Sequence, residues 1–246
     1  MTCQPLPTEP VYKWLLFNQT CLLCDERTDT PLALCAACEL ELPWLGDSCQ
    51  RCALPLPMAG LTCGLCLKHP PAFETVYAPW AYGFPIDSLI NRFKHNSKWP
   101  YGRLLADILG QSLRDRFNTG DAKPDFLLPV PLSVKRLRQR GYNQAAMLAD
   151  WLSTDLGIPR RDQWLLRHQD TASQQALGAK TRKRNVLQAF SLAPQLEVRG
   201  LHVALVDDVL TTGATAQSLA LLLRKAGARQ VDVYCLARTP KPDGPS

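Results

Sequence analysis

Residues 203–215 read VALVDDVLTTGAT. Four apolar residues lead into two adjacent carboxylates, Asp207 and Asp208, and after Val209-Leu210 come only Thr, Gly and Ala. An uninterrupted apolar run suits a strand buried on both faces, and such strands belong to parallel sheets covered by helices. Ligands of open parallel sheets sit outside the carboxyl ends of the strands. The acidic pair is therefore expected at that edge, where the buried strand ends. Thr211, Thr212, Gly213, Ala214 and Thr215 then turn into the helical pattern ATAQSLALLLRKAG. Successive N–H groups, threonine hydroxyls and the helix dipole make a cradle for one phosphate dianion, with Gly213 letting the backbone approach. Two carboxylates beside that cradle would repel a bare polyphosphate. They suit ribose hydroxyls, which donate hydrogen bonds, or a Mg2+ ion coordinated by those hydroxyls. The ligand read from these residues is a ribose 5-phosphate. A merely capped helix would account for one Asp and one Thr, and would leave the second Asp and the other threonines unexplained. Neither G-x-x-x-x-G-K-[ST] nor G-x-G-x-x-G occurs in the chain.

Strand and helix signals alternate around this stretch. DFLLPVPL is a short apolar run, followed by a basic loop, VKRLRQRGYNQ. AAMLADWLSTDLG has helical spacing and ends on Gly157, QWLLRH is a candidate strand, and VDVYCLAR is a final buried strand. Upstream, ETVYAPWAYGF reads as a strand pair or as an extended run interrupted by Pro79. From Ile86, apolar residues at 86, 89, 90 and 93 predict a helix closed by Pro100, with a second helix from Leu104 to Phe117. The expected class is α/β, a parallel sheet flanked by helices.

VALVDDVLTTGAT closely resembles the PRPP-binding motif of type I phosphoribosyltransferases. The resemblance implies that Asp207 and Asp208 hold the ribose hydroxyls. It implies that Thr211, Thr212, Gly213, Ala214 and Thr215 hold the 5-phosphate, with Mg2+ accompanying PRPP. Relatives acting on 6-oxopurines carry an Asp at the position of Thr211, so that substrate class is disfavoured. In the basic loop, Arg140 and Asn143 are the candidates for pyrophosphate contact. The long polar segment TASQQALGAKTRKRN offers Lys180 and Arg182 as lid candidates.

The N-terminal part has a different chemistry. Eight cysteines form four Cys-x-x-Cys pairs, and adding 28 to Cys21, Cys24, Cys35 and Cys38 gives Cys49, Cys52, Cys63 and Cys66. Each half reads C-x2-C-x10-C-x2-C, a spacing that suits tetrahedral zinc held on knuckles. Two structural zinc sites are expected. Spacing leaves two pairings open, sequential within each half or cross-braced between halves. Residues 1–70 carry four Lys/Arg against seven Asp/Glu, whereas residues 71–246 carry 24 against 15. An acidic metal module is a poor docking surface for a phosphate backbone, so a structural or protein-contact role is expected of it. The basic remainder admits single-stranded DNA as a partner.

Together the cysteine repeats, PVPLSVKRLRQRGYNQA, RKRNVLQAF and VDDVLTTGAT resemble the ComF family. The resemblance implies a double zinc ribbon over residues 1–70, a phosphoribosyltransferase-like domain over 71–240 and a short tail, 241–246. It also implies a link to competence, DNA uptake or the use of DNA as a nutrient. Two readings follow, a PRPP-dependent transferase with an unassigned acceptor and a non-catalytic PRPP sensor or single-strand-handling protein. No apolar run approaches the ~20 residues of a membrane span. The opening MTCQPLPTEP lacks a basic start with an apolar stretch, and a cytoplasmic location is expected.

Overall fold

The computed structural model describes residues 19–28, 30–95, 98–168, 189–194 and 196–240. The chain divides into two compact units, Met1–Leu42 and Pro43–Ser246. In the first, β1 (Gln19–Thr20) pairs antiparallel with β2 (Arg27–Thr28), and α1 (Ala36–Leu40) begins directly after Cys35.

The second unit opens with the second cysteine repeat, whose short helix α2 (Gly64–Lys68) begins directly after Cys63. The repeat is structural as well as sequential. Thr20 pairs with Arg27 in the first half, and their counterparts 28 residues on, Ser48 and Pro55, form an antiparallel bridge. The Asp25 N–H donates to the Cys21 carbonyl and the Ala53 N–H to the Cys49 carbonyl, both at 2.9 Å. Asp25 and Ala53 both adopt positive φ, at 61° and 53°, the left-handed bend that closes each knuckle.

Beyond it the chain builds one parallel sheet. Its strands are β3 (Val76–Tyr77), β4 (Trp80–Ala81), β5 (Phe126–Pro129), β8 (His202–Leu210) and β9 (Gln230–Arg238). The order is β3-β9-β8-β5, with β4 also pairing β9, and every pairing is parallel. Both β3 and β4 run alongside β9, so Pro79 interrupts one extended segment without reversing it. The candidate strand QWLLRH forms β6 (Leu165–Arg167), which pairs antiparallel with β7 (Phe190–Leu192) outside that sheet.

Helices flank the sheet because its strands are apolar on both sides. Val203 and Leu205 share one core cluster with Leu219, Ala220 and Leu223 of α7 (Ala214–Lys225). The pleat turns the intervening Ala204 and Val206, both fully buried, to the other face. The remaining helices are α3 (Ile86–His95), α4 (Trp99–Asn118), α5 (Val134–Arg140) and α6 (Gln144–Leu156), with α6 packed on β5 and β8. Ile86, Leu89, Ile90 and Phe93 are all buried, as the spacing requires. Pro100 lies in the first turn of α4, so it opens the second helix where the sequence reading had it closing the first; its missing N–H costs nothing there.

Two further readings of local structure are corrected. The basic stretch is a helix: the Ser133 side chain accepts from the Arg136 N–H, and Gly141 at φ 83° ends it in the left-handed region. The buried strand also does not end at the acidic pair. It continues to Leu210, because β9 continues beside it, with Asp207 opposite Cys235 and Leu210 opposite Arg238.

Candidate functional site

The site arises from a mismatch in strand length. The pairing of β5 with β8 ends at Pro129 opposite Val206, while β8 runs on through Leu210. The side of β8 that β5 leaves uncovered, and the chain leaving β5, bound a cavity of about 210 Å3. Asp207, Asp208, Thr211 and Thr215 line it, together with Lys94, Arg136, Arg140 and Arg167. Thr212, Gly213 and Ala214 form the turn between the two lining threonines. Gly213 has φ 75°, a left-handed conformation that lets the strand turn straight into α7. The Ala214 N–H lies 3.4 Å from Thr212 Oγ1.

The two carboxylates differ in their surroundings. Asp207 is pushed up to about 7, first by burial and then by the neighbouring Asp208 charge. Its Oδ1 accepts the Asp208 N–H at 2.9 Å. Asp208 is 5% exposed, and its Oδ2 lies 3.0 Å from Lys94 Nζ. That contact joins charges without hydrogen-bond alignment: among the described residues no donor points at this oxygen. A carboxyl whose ionisation is opposed by burial, beside another with a free lone-pair direction, forms a place where an incoming cation or hydroxyl pair would be favoured.

Arg140 lies in this lining, and its guanidinium donates to the Gln144 side-chain oxygen. Asn143 is engaged elsewhere. Its Oδ1 caps α6 by accepting the Ala145 N–H at 3.0 Å, and its Nδ2 donates to the Val130 carbonyl at 3.1 Å. It thereby fixes the chain leaving β5. Lys180 and Arg182 lie outside the described residues.

The sequence reading did not single out Lys94 or Arg167. Lys94 follows Ile90 by one helical step on the apolar stripe, and a lysine there signals a buried partner. Arg167 closes β6 and lacks such a signal. Trp151 and Trp164 pack, against Phe93 and Phe126 respectively, with ring centroids 5.9 Å and 5.0 Å apart.

The cysteines resolve the pairing that spacing left open. Cys21, Cys24, Cys35 and Cys38 form one cluster and Cys49, Cys52, Cys63 and Cys66 another, with the sulfurs of each within 4.8 Å of one another. The arrangement is sequential. Cys24 and Cys35 sulfurs lie 3.7 Å apart, as do those of Cys52 and Cys63. Four sulfurs about 2.3 Å from a tetrahedral zinc stand about 3.8 Å apart, so both clusters fit the ion. In each, burial opposes ionisation of the first cysteine, but backbone N–H groups outweigh it and lower Cys21 to about 6 and Cys49 to about 7. The Cys63 N–H, 3.3 Å from the Cys49 sulfur, is one of these donors.

Taken together, two four-sulfur clusters and a parallel sheet with an acidic pair and threonine turn define a protein of the double-zinc-ribbon, phosphoribosyltransferase-type class. Family models agree: a double zinc ribbon domain matches residues 13–67 and a phosphoribosyl transferase domain residues 142–246. The chain belongs to the ComF family. It is 41% identical to competence protein F of Haemophilus influenzae, over 70% of this chain and 76% of that protein. It is 36% identical to the DNA utilization protein YhgH of Escherichia coli, over 89% of this chain and 90% of the relative. Competence protein ComFC of Bacillus subtilis is 30% identical over 62% of this chain and 67% of its own length. Among the described residues no helix is long and apolar enough to cross a membrane.

Proposed function

We propose that this chain binds a 5-phosphoribosyl ligand, PRPP with Mg2+, at the carboxyl edge of β8. The observation that carries the reading is the convergence of Asp207, Asp208, Thr211 and Thr215 with four cationic side chains in one cavity. The carboxylates take the ribose hydroxyls and the turn of Thr211, Thr212, Gly213, Ala214 and Thr215 takes the 5-phosphate. Arg136, Arg140, Arg167 and Lys94 offer the charge that a pyrophosphate needs. Mg2+ would be held beside Asp207 and Asp208 and would neutralise the leaving pyrophosphate. Asn143 serves this site by holding the β5 loop in place. In each cysteine cluster zinc is structural. Two of the relatives above are named for competence and another for DNA utilization. We extend that setting, in the cytoplasm, to this chain.

Thermal melting tests the pocket. Mg2+ and PRPP at 100 times the dissociation constant add about 2.7 kcal/mol, a rise of roughly 5–10 °C. Asp207→Asn with Asp208→Asn abolishes the rise. An unchanged wild-type melting temperature overturns the reading. Release of pyrophosphate on adding a panel of bases then separates transfer from binding alone.

A further inference from the structure

Arg238 closes β9 at the same edge as the acidic pair, is 8% exposed, and has no role in the site described above. Its hydrogen bonds go to four main-chain carbonyls. Nη1 faces the carbonyls of Leu210 at 3.1 Å, Thr211 at 2.6 Å and Thr239 at 2.5 Å, which share its two N–H groups. Nε donates to Cys52 at 2.8 Å. Leu210 and Thr211 are the last strand residue and the first residue of the phosphate turn. Cys52 belongs to the second cysteine cluster.

We propose that Arg238 is a positioning residue that couples the second metal site to the phosphate turn, holding a knuckle carbonyl and the turn's entry carbonyls on one guanidinium. The physical basis is the cost of burying a permanent cation. Arginine stays charged at any working pH, and in a site this closed its donors must remain satisfied. The guanidinium is planar and rigid, so its acceptors cannot shift independently of one another. With zinc bound, the Cys52 sulfur is fixed, and with it the carbonyl three bonds away. Arg238 then has a fixed anchor from which to orient Leu210 and Thr211. Without metal, the knuckle loses its cross-link, and the anchor moves.

Other contacts make the knuckle part of the sheet. The Val76 N–H donates to the Arg51 carbonyl at 2.9 Å, and Arg51 pairs with Glu74 at 3.2 Å. Ala53 is 3% exposed and lies in the same core cluster as Val203, Leu205 and Leu219. By contrast Thr211, Thr212 and Ala214 are exposed, so the turn has little burial of its own to hold it. The restraint on its entry comes from the Arg238 fork and from the Thr239 N–H, which donates to the Leu210 carbonyl at 3.0 Å.

The functional meaning of this coupling rests on the phosphoribosyl reading, but its test does not. Hydrogen exchange of the full chain, without ligand, is followed at residues 211–215 and at the β8 core amides of Val203–Leu205. Site-two metal loss is produced by Cys66→Ser, with zinc content measured, and Cys38→Ser provides the matched loss at site one. The expected result is that Cys66→Ser speeds exchange of the turn by about tenfold or more over wild type. Arg238→Met does the same with both zincs retained, and adding Cys66→Ser to Arg238→Met brings no further change. Arg238→Lys, which keeps the charge but lacks the fork, falls between wild type and Arg238→Met. The proposal is overturned if turn exchange in Cys66→Ser matches wild type. It is equally overturned if Arg238→Met, with both zincs retained, speeds the β8 core as much as the turn, or if the effects of Cys66→Ser and Arg238→Met on the turn multiply. Ribose 5-phosphate titrated into wild type reports separately on the pocket: no binding there, with the exchange pattern intact, removes the phosphoribosyl reading and leaves the coupling.

Discussion

The two cysteine repeats have the same spacing, the same knuckle bend and the same short helix, yet they stand in different structural settings. The first lies in the unit Met1–Leu42, with a two-stranded hairpin and a helix of five residues. The second lies in the unit that holds the parallel sheet, and its knuckle residue Ala53 is packed in that sheet's core. The residues at one position of the repeat show why. Asp25 is exposed, and its counterpart Ala53 carries a methyl group that can be buried. An identical metal-binding pattern thus sits in a small unit in one case and forms part of a larger core in the other. Ligand spacing dictates the metal site, and the residues between the ligands dictate what it is attached to.

The sharpest way to break this comparison is to remove one metal at a time. Cys66→Ser should lower the melting temperature of the larger unit by about 10 °C or more, since losing a buried anchor of the core costs several kcal/mol. Cys38→Ser should leave that transition within roughly 2 °C. Equal shifts, followed by calorimetry, would show that the two repeats are equivalent after all.

Next in size is Lys94→Met, which strips Asp208 of its cation. Removing one partner of a largely buried pair is expected to cost the larger unit about 2–3 kcal/mol, read by urea unfolding. The first unit's transition should not move.

The larger unit should also carry a pH dependence of its own. Asp207 binds its proton more tightly folded than unfolded, so its penalty is absent at low pH and grows as pH rises from about 4, the unfolded value, to about 7. Asp207→Asn should therefore stabilise the ligand-free protein by on the order of 1–3 kcal/mol at pH 8, and by nothing measurable below pH ~4. A gain that persists at low pH would assign the effect to packing.

The smallest effect probes the matched bends. Asp25→Gly relieves a left-handed residue that is exposed, a gain of about 0.5–1 kcal/mol. Ala53→Gly relieves the same bend but removes a buried methyl worth about 0.8 kcal/mol, so the two terms cancel. Unfolding free energies that move together would contradict the difference in burial.

Much of this arrangement is legible from the chain alone, and the reasons are local. The apolar run 203–206 suits a strand covered on both faces. The Cys-x-x-Cys spacing suits a tetrahedral ion, and the threonine turn bears its own donors. What escapes the sequence is set by partners distant in the chain. The strand runs past Asp207 and Asp208 because β9 does. Residues 134–140 become a helix through the Ser133 cap and the Gly141 stop, although the charge run itself reads as a loop. Asn143 looks like a ligand residue by its neighbours in sequence, and the Val130 carbonyl and Ala145 N–H take its side chain instead. Lys94 stands out on the apolar stripe of α3, but only the packed fold shows that the carboxylate it meets is Asp208.

The most direct test of the account is a calorimetric titration of PRPP with Mg2+ into four proteins: wild type, Cys38→Ser, Cys66→Ser, and Asp207→Asn with Asp208→Asn. Wild type and Cys38→Ser should bind alike, Cys66→Ser at least about tenfold more weakly (a loss of about 1.4 kcal/mol), and the double Asp variant not at all. No binding by wild type, or undiminished binding by the double Asp variant, would contradict it.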